Sequence, residues 1–280
     1  MPFVDVEDGS LYYEVSGNGR PLVVIHGAWA SHEWWRWQVP ELSRNYQVLS
    51  LDVRGHGQSS DLQRRYSVDG FATDLQLLLQ TLGIDETGLI GWSMGGIISM
   101  QYCLNHPSKT KALVLIATRG QRNPHLKRRI LLEYVQARLG LLMDFSSPRQ
   151  YDTQANRFPG ENRDWAEREA RNMLSPTTRK EVLDWVMADL TNNPRKHYLE
   201  VAKSIWNWEA GEGLRRINVP TLIMVGGKDN RTPPHFSHFL HAKIPNSKLV
   251  IVENAGHCVA LERPEVVNAE IITFLKSLGY

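Results

Sequence analysis

The stretch Gly91-Trp92-Ser93-Met94-Gly95 places a serine between two glycines in a GxSxG pattern. An apolar run at 87–90 comes directly before it and predicts a buried strand, and the residues at 94–105 have helical periodicity. A serine on a sharp turn between a strand and a helix is the arrangement of a nucleophile elbow. Glycine at both flanking positions lets neighbouring backbone approach without a Cβ clash. Ser93 is therefore the predicted nucleophile.

Outward from this turn, short apolar runs alternate with stretches of helical periodicity. The predicted strands cover 3–7, 11–15, 22–25, 47–51, 87–90, 112–116, 221–225 and 248–252. The predicted helices cover 33–43, 71–82, 94–105, 235–243 and 265–277. The first two strands flank Asp8-Gly9-Ser10, which is typical of a β-hairpin. The later alternation of strand and helix predicts an α/β fold with a mostly parallel sheet.

One interval, 120–216, interrupts this alternation because it contains no convincing strand. Its predicted helices cover 126–142, 163–174, 177–189 and 195–206, and prolines separate them. We therefore expect residues 1–119 and 217–280 to form a core domain. Residues 120–216 are expected to form a helical unit inserted into that core.

Composition narrows the class of protein. The 280 residues include 32 Lys+Arg and 30 Asp+Glu, so the formal net charge is only +2. A nucleic-acid-binding protein usually concentrates basic residues to contact phosphates, so that class is disfavoured. With 42% hydrophobic and 22% charged residues, intrinsic disorder is disfavoured as well. We expect a folded globular protein without a nucleic-acid partner.

Three further features of the sequence indicate the cellular location of the protein. The apolar runs are far shorter than the roughly 20 residues that a membrane-spanning helix needs. The first residues are acidic, whereas a secretory signal is basic and then apolar. Cys103 and Cys258 have neither CxxC spacing nor the density of a disulfide scaffold, so two free thiols are favoured over one bridge. We expect a cytoplasmic protein that makes no membrane contact.

A serine nucleophile needs a histidine base, and the histidine needs a carboxylate that fixes its tautomer. Asp229 directly follows the predicted strand 221–225, and His257 follows the strand 248–252. The carboxyl ends of parallel strands meet at one edge of a sheet, so we expect both side chains to lie near Ser93. Asp52 also follows a strand, but it precedes Ser93 in the chain, and we expect it to support a loop.

The oxyanion formed during acyl transfer needs two backbone N–H donors. One comes from the residue after the nucleophile, which is Met94. The second is expected from the loop His26-Gly27-Ala28-Trp29, which follows the predicted strand 22–25. Ala28 is the preferred donor and Trp29 is the alternative. His26 is expected to make structural hydrogen bonds and to take no part in catalysis.

Tryptophans concentrate near the predicted site and in the inserted unit. Most tryptophans in proteins pack against other residues, but a pocket rich in them favours apolar or aromatic substrate groups. The possible pocket residues are Trp29, Trp92, Trp185 and Trp206.

The pattern His235-x-x-His238-x-x-His241 has the spacing of a ligand array on one helix face. Apolar residues on the opposite face indicate an ordinary amphipathic helix with the histidines in solvent. No carboxylate completes the set, and we predict no metal site.

Together these motifs resemble the α/β-hydrolase superfamily over essentially the whole chain. The strings that carry the resemblance are His26-Gly27-Ala28-Trp29, Asp52-Val53-Arg54-Gly55-His56-Gly57-Gln58-Ser59, Gly91-Trp92-Ser93-Met94-Gly95-Gly96, Gly227-Lys228-Asp229 and Ala255-Gly256-His257. The resemblance implies a central eight-stranded sheet and a helical cap inserted after the sixth strand. It is greatest to single-domain bacterial carboxylesterases, enol-lactonases and C–C bond hydrolases. Haloalkane dehalogenases and epoxide hydrolases of this superfamily use an aspartate nucleophile, so Ser93 argues against both.

The sequence thus predicts a serine hydrolase that cleaves small carboxylic esters, without a cofactor or a metal, as a monomer or homodimer. Ser93 attacks, His257 moves the proton and Asp229 orients the imidazole. One alternative is a lactonase or C–C bond hydrolase that uses the same residues. Another is a ligand receptor or regulatory protein on the hydrolase scaffold.

Overall fold

Eight strands form a single sheet, and each strand predicted from the sequence is present. They are β1 (Phe3–Val6), β2 (Gly9–Ser16), β3 (Arg20–Ile25), β4 (Tyr46–Leu51), β5 (Thr87–Trp92), β6 (Thr110–Ile116), β7 (Thr221–Gly226) and β8 (Ser247–Val252). Their order is β1-β2-β4-β3-β5-β6-β7-β8. The β1–β2 and β2–β4 pairs are antiparallel, and the other pairs are parallel. The predicted α/β class and mostly parallel sheet are confirmed.

This computed structural model describes residues 2–6, 9–60, 66–123, 128, 132, 135, 163–192 and 197–280. Its helices are α1 (Val39–Leu42), α2 (Val68–Thr81), α3 (Met94–Asn105), α4 (Arg163–Met173), α5 (Lys180–Asn192), α6 (Tyr198–Trp206), α7 (Pro234–Lys243), α8 (Val259–Glu262) and α9 (Pro264–Ser277). Short 3₁₀ helices cover His32–Trp35 and Gly211–Arg216. Within the described residues, no helix is long and apolar enough to cross a membrane.

Apart from the edge strand β8, the parallel strands are largely buried on both faces, which is why they read as continuous apolar runs. In β3, Leu22 and Val24 pack into one hydrophobic cluster, whereas Val23 and Ile25 pack into a second one on the opposite face. The first cluster includes buried side chains of α4, α5 and α9, and the second includes those of α2, α3 and α7. The sheet is therefore sandwiched between two layers of helices.

One predicted helix is wrong. Residues 33–43 were expected to form a single helix, but the structure has the 3₁₀ helix His32–Trp35 followed by the single-turn helix α1. Pro40 lies in the first turn of α1. Proline lacks an N–H and its ring clashes with a preceding helical turn, so it is tolerated where a helix begins and disfavoured inside one.

The interval between β6 and β7 contains α4, α5 and α6, which correspond to the predicted helices 163–174, 177–189 and 195–206. The helix predicted at 126–142 lies outside the described residues, apart from three isolated positions. The division into a core domain and the insert 120–216 stays a prediction.

The order of the strands reverses at β3. The chain passes from β3 to β4 on one side and then returns to β5 on the other side, so β3 lies between them. In parallel sheets, ligands bind outside the carboxyl ends of the strands at such a reversal. Ser93 follows β5 and the 26–29 loop follows β3, so both lie at this reversal.

Candidate active site

Ser93 lies on a strained turn between β5 and α3. Its backbone has φ +54° and ψ −113°, in a region that residues with a side chain rarely adopt. Its N–H donates to the Ile116 carbonyl at 2.9 Å. A Cβ at Gly91 would overlap the Gly95 carbonyl, and a Cβ at Gly95 would overlap the Ile25 carbonyl. The two glycines are therefore required by the packing of the turn, as their spacing predicted.

Ser93, His257 and Asp229 form one line of hydrogen bonds. The Ser93 Oγ lies 3.1 Å from His257 Nε2, and His257 Nδ1 lies 2.9 Å from Asp229 Oδ2. Since a carboxylate only accepts, Nδ1 carries the proton and Nε2 presents its lone pair to the serine hydroxyl. The side chains that follow three different strands are thus brought together at one edge of the sheet.

The Asp229 carboxylate is buried and fully hydrogen-bonded. Its Oδ1 accepts from the Arg231 N–H at 2.8 Å and the Thr232 N–H at 2.9 Å, and its Oδ2 accepts from the Thr232 hydroxyl at 2.8 Å. Burial opposes ionisation, but the charge and hydrogen bond of His257 and the bonds from Thr232 outweigh it, so the pKa of Asp229 is lowered. The carboxylate is therefore ionised when it faces the imidazole.

The backbone of His257 is fixed on both sides. Its N–H donates to the Met173 carbonyl at 2.7 Å, at the end of α4. Its carbonyl accepts from the Trp92 indole N–H at 2.9 Å, and the two rings lie 5.4 Å apart. Trp92 is 4% exposed and stacks on Trp34 at 4.7 Å. Trp92 thus supports the histidine loop, and its predicted contact with substrate stays a prediction.

The loop predicted to complete the oxyanion site presses against Ser93. A Cβ at Gly27 would lie 2.7 Å from the Trp92 ring and 3.2 Å from the Ser93 Cβ. Within the described part of the chain, no hydrogen bond from the N–H of Ala28 or Met94 is found. Trp29 has a left-handed φ of +57°. The oxyanion role of the Ala28 and Met94 N–H groups, with Trp29 as the alternative to Ala28, stays a prediction.

His26 and Asp52 have the structural roles expected of them. His26 Nδ1 donates to the Gly27 carbonyl at 2.7 Å, and its Nε2 accepts from the Val53 N–H at 3.0 Å. Asp52 accepts from the N–H groups of His32 and Gln58 at 2.7 and 2.8 Å, and from His32 Nδ1 at 2.9 Å. These bonds tie together the loops that follow β3 and β4.

The remaining predicted pocket tryptophans fall into different settings. Trp185 of α5 packs edge-on against Trp34 at 5.4 Å, and the Arg36 guanidinium lies 5.1 Å from its ring. The Trp34 indole donates to Asp189 of α5 at 2.9 Å. Trp206 is buried at the end of α6. Trp34, which the sequence did not single out, thus joins α5 to the core beside Trp92, and a contact of Trp185 or Trp206 with substrate stays a prediction.

The three histidines of α7 are exposed, while Phe236 and Leu240 on the other side of the helix are buried. Among the residues that the structure describes, no group of three or more His, Cys, Asp or Glu side chains could hold a metal ion. Cys103 and Cys258 are free and buried.

Two residues of the site were missed from the sequence, Thr232 and Glu262. Thr232 follows Asp229 by three positions, and an aspartate with a hydroxyl residue shortly after it is a turn signal that could have indicated the pair. Glu262 accepts from the N–H of Gly256, directly before His257. Its contacts come from distant parts of the chain, so no local pattern indicates them.

Comparison with known proteins identifies the family to which this fold belongs. Residues 20–264 match the family model described as alpha/beta hydrolase fold. The chain is 26% identical over 287 residues to a non-heme haloperoxidase of Rhodococcus erythropolis, covering 99% of this chain and 100% of that one. A thermophilic esterase from Thermogutta terrifontis is 24% identical with a TM-score of 0.83, covering 99% and 98% of the two chains. The enol-lactonase from Burkholderia xenovorans LB400 is 23% identical with a TM-score of 0.78, covering 98% and 100%.

The chain therefore belongs to the alpha/beta hydrolase family, and the resemblance inferred from its motifs is confirmed. Its relatives carry out different reactions, so the family establishes the fold and the hydrolase class but not the bond that is cleaved.

Proposed function

We propose that this protein is a serine hydrolase that cleaves small carboxylic esters through an acyl-enzyme, without a cofactor or a metal. The observation that carries the proposal is the line of hydrogen bonds from Ser93 through His257 to Asp229. A serine hydroxyl becomes an effective nucleophile only when a base accepts its proton, and the Nε2 lone pair is aimed at that proton. The strained turn lies at the carboxyl edge of the sheet, where β5 ends beside β3.

In the first half of the reaction, the Ser93 Oγ attacks the ester carbonyl while His257 Nε2 takes the hydroxyl proton. The carbonyl oxygen becomes an oxyanion, which the N–H groups of Ala28 and Met94 stabilise. As the tetrahedral intermediate collapses, the imidazolium gives its proton to the leaving alcohol and the acyl group stays on Ser93. The Asp229 carboxylate stabilises the imidazolium at each stage.

In the second half, a water molecule attacks the acyl-enzyme and His257 takes its proton. Collapse of the second tetrahedral intermediate releases the acid, and the proton returns to the Ser93 oxygen. The cycle consumes one water and one ester and yields one acid and one alcohol, so no electron acceptor or metal is required.

A lactone is the nearest alternative substrate because it is an ester whose alcohol remains attached to the acid. The fold shared with an enol-lactonase makes this the second candidate. Cleavage of a C–C bond beside a ketone would use the same three residues with a carbon leaving group. A receptor on this scaffold would bind a ligand at Ser93 with negligible turnover.

The test is hydrolysis of p-nitrophenyl acetate, butyrate, octanoate and benzoate by the wild-type protein and Ser93→Ala, with a lactone and a vinylogous diketone in the same panel. We expect ester turnover that is lost in Ser93→Ala and retained in the control Ser277→Ala, whose hydroxyl is exposed at the end of α9. Full ester turnover by Ser93→Ala would refute the mechanism. Turnover of the lactone or diketone alone would select the alternative, and Ser93 labelling without turnover would favour the receptor.

A further inference from the structure

Glu262, at the end of α8, carries a carboxylate buried beneath the histidine loop. The residue is only 1% exposed. Its Oε1 accepts from the Gly256 N–H at 2.7 Å. Its Oε2 accepts from the Ser175 N–H at 2.8 Å and from the Thr178 hydroxyl. All three partners are donors, which suits an ionised carboxylate.

These donors belong to two segments that are far apart in the chain. Gly256 immediately precedes His257, whereas Ser175 and Thr178 lie in the turn between α4 and α5. The His257 N–H reaches the same turn, because it donates to the Met173 carbonyl at 2.7 Å. A Cβ at Gly256 would lie 2.6 Å from that carbonyl, so the two segments are in close backbone contact. Glu262 therefore closes a junction between the histidine loop and the segment 173–178.

The negative charge of Glu262 does not itself stabilise the fold. Burial raises the pKa of Glu262, and the hydrogen bonds from Thr178, Ser175 and Gly256 oppose that shift without cancelling it. An acid whose pKa is raised by folding is harder to ionise in the folded state, so its charge opposes folding. The carboxylate instead fixes the two segments relative to each other, because one planar group accepts hydrogen bonds from both of them.

We propose that Glu262 is a positioning residue for His257, which holds the histidine loop against the segment 173–178 and thereby keeps Nε2 aimed at Ser93. The inference rests on the proposed function, because the alignment matters only if His257 moves the serine proton. Glu262 acts through the backbone of Gly256 and does not touch the substrate.

Glu262→Gln tests this role with little change in volume. The amide has one acceptor oxygen, so its NH₂ group must face either the Gly256 N–H or the Ser175 N–H, and at least one of these bonds is lost. A shift of about 1 Å in a catalytic group lowers turnover by up to about 100-fold. We expect kcat for p-nitrophenyl butyrate to fall about 10- to 100-fold with little change in KM.

The matched control is Asp74→Asn. Asp74 is also a buried carboxylate, but it belongs to α2 in the other helix layer, where it pairs with Arg54. We expect this variant to lower the melting temperature while kcat stays within about twofold of the wild type. Proton NMR supplies a readout specific to position: the downfield signal of the His257 Nδ1–H in its bond to Asp229 should shift or broaden in Glu262→Gln and stay in place in Asp74→Asn.

A second pair of variants tests the positioning role of Glu262 if Glu262→Gln does not fold. Thr178→Val removes one donor from the carboxylate, and Thr178→Ser keeps the hydroxyl. We expect Thr178→Val to lower kcat about 2- to 5-fold and to move the Nδ1–H signal, with recovery in Thr178→Ser.

The outcomes separate this inference from the proposed function. An active wild type whose kcat and Nδ1–H signal are unchanged in the folded variants would overturn the inference and leave the esterase proposal intact. A wild type without ester turnover, whose Nδ1–H signal nevertheless moves in Glu262→Gln, would overturn the esterase proposal and support Glu262 as the residue that positions His257.

Discussion

Among the residues that the structure describes, two buried histidine–aspartate pairs have nearly the same hydrogen bond. In both pairs, a histidine Nδ1 lies 2.9 Å from an aspartate Oδ: His257 with Asp229, and His32 with Asp52. They differ at the opposite side of the ring. His257 Nε2 faces the Ser93 hydroxyl, whereas His32 Nε2 faces the carboxylates of Glu33 at 3.6 Å and Glu14 at 3.8 Å.

The group that faces the Nε2 atom of the histidine determines the role of each pair. Burial opposes protonation of His32, but the hydrogen bond and charge of Asp52 and the charges of Glu14 and Glu33 raise its pKa. A histidine whose pKa is raised by three carboxylates keeps its second proton to higher pH than an ordinary histidine, so it pairs charges, stabilises a loop and is less suited to act as a base. A histidine–aspartate pair alone is thus a poor indicator of catalysis, and a nucleophile at the free nitrogen is the informative feature.

The largest difference in activity between the two pairs is expected when the histidine of each pair is replaced in turn. We expect His257→Ala to lower kcat/KM for p-nitrophenyl butyrate by about 10⁴-fold or more, because the serine then has no base. His32→Ala should keep kcat/KM within about threefold of the wild type and lower the free energy of unfolding by about 1 to 3 kcal/mol. Steady-state kinetics and urea unfolding on both variants provide the measurements. Equal losses of activity would show that the two pairs are not distinct in role.

Replacing the aspartate of each pair tests whether the two pairs differ in role through a residue that does not contact Ser93. Asp229→Asn should lower kcat by about 10³- to 10⁴-fold, because an amide stabilises neither the required tautomer nor the imidazolium. Asp52→Asn should act mainly on stability, by about 2 to 4 kcal/mol, since it disturbs three hydrogen bonds to a buried carboxylate. Kinetics at saturating ester and a thermal melt of each variant would separate the two effects. A large loss of kcat in folded Asp52→Asn would contradict this assignment.

A smaller effect is expected at Thr232, whose hydroxyl donates to Asp229 Oδ2 and lies 3.3 Å from His257 Nδ1. Thr232→Val leaves one carboxylate oxygen with fewer donors, and we expect kcat to fall about 3- to 10-fold, equivalent to about 1 kcal/mol. Thr232→Ser keeps the hydroxyl and should restore kcat. If the serine variant is as slow as the valine variant, the hydroxyl is not responsible.

The smallest expected effect concerns how the His32–Asp52 pair responds to pH. Because the pKa of His32 is raised, its contribution to stability is present at low pH and is lost as pH rises through that pKa. The pKa of Asp52 is lowered, so its contribution is lost only as pH falls through that lower value. The stability difference between wild type and His32→Ala should therefore be largest near about pH 5 and smaller by about 1 kcal/mol near about pH 8. Urea unfolding across this range measures it, and a constant difference would argue against a charged His32.

The sequence predicted the fold and the three aligned side chains for one physical reason. Parallel strands end at a common edge, so the loops that follow β5, β7 and β8 lie on the same edge of the sheet and can bring Ser93, Asp229 and His257 together. Residues whose roles depend on contacts across the chain were not predictable in this way. Glu262 meets Ser175, which lies 87 positions earlier, and Trp34 meets Asp189, which lies 155 positions later. The helix predicted at 33–43 failed because Pro40 favours the start of a new helix over continuation of an old one.

The contact between the histidine loop and segment 173–178 also bears on how such enzymes diversify. The predicted insert between β6 and β7 is where evolution or a protein engineer would exchange one segment for another. In this protein, a swap at the boundaries 120 and 216 would also remove the Met173 carbonyl, the Ser175 N–H and the Thr178 hydroxyl that anchor the histidine loop. A chimaera that keeps its own 173–178 segment and exchanges only the parts beyond it should preserve turnover while it changes substrate range. Segment 173–178 would then be inherited together with the histidine loop that it contacts, and the rest of the insert would be free to vary.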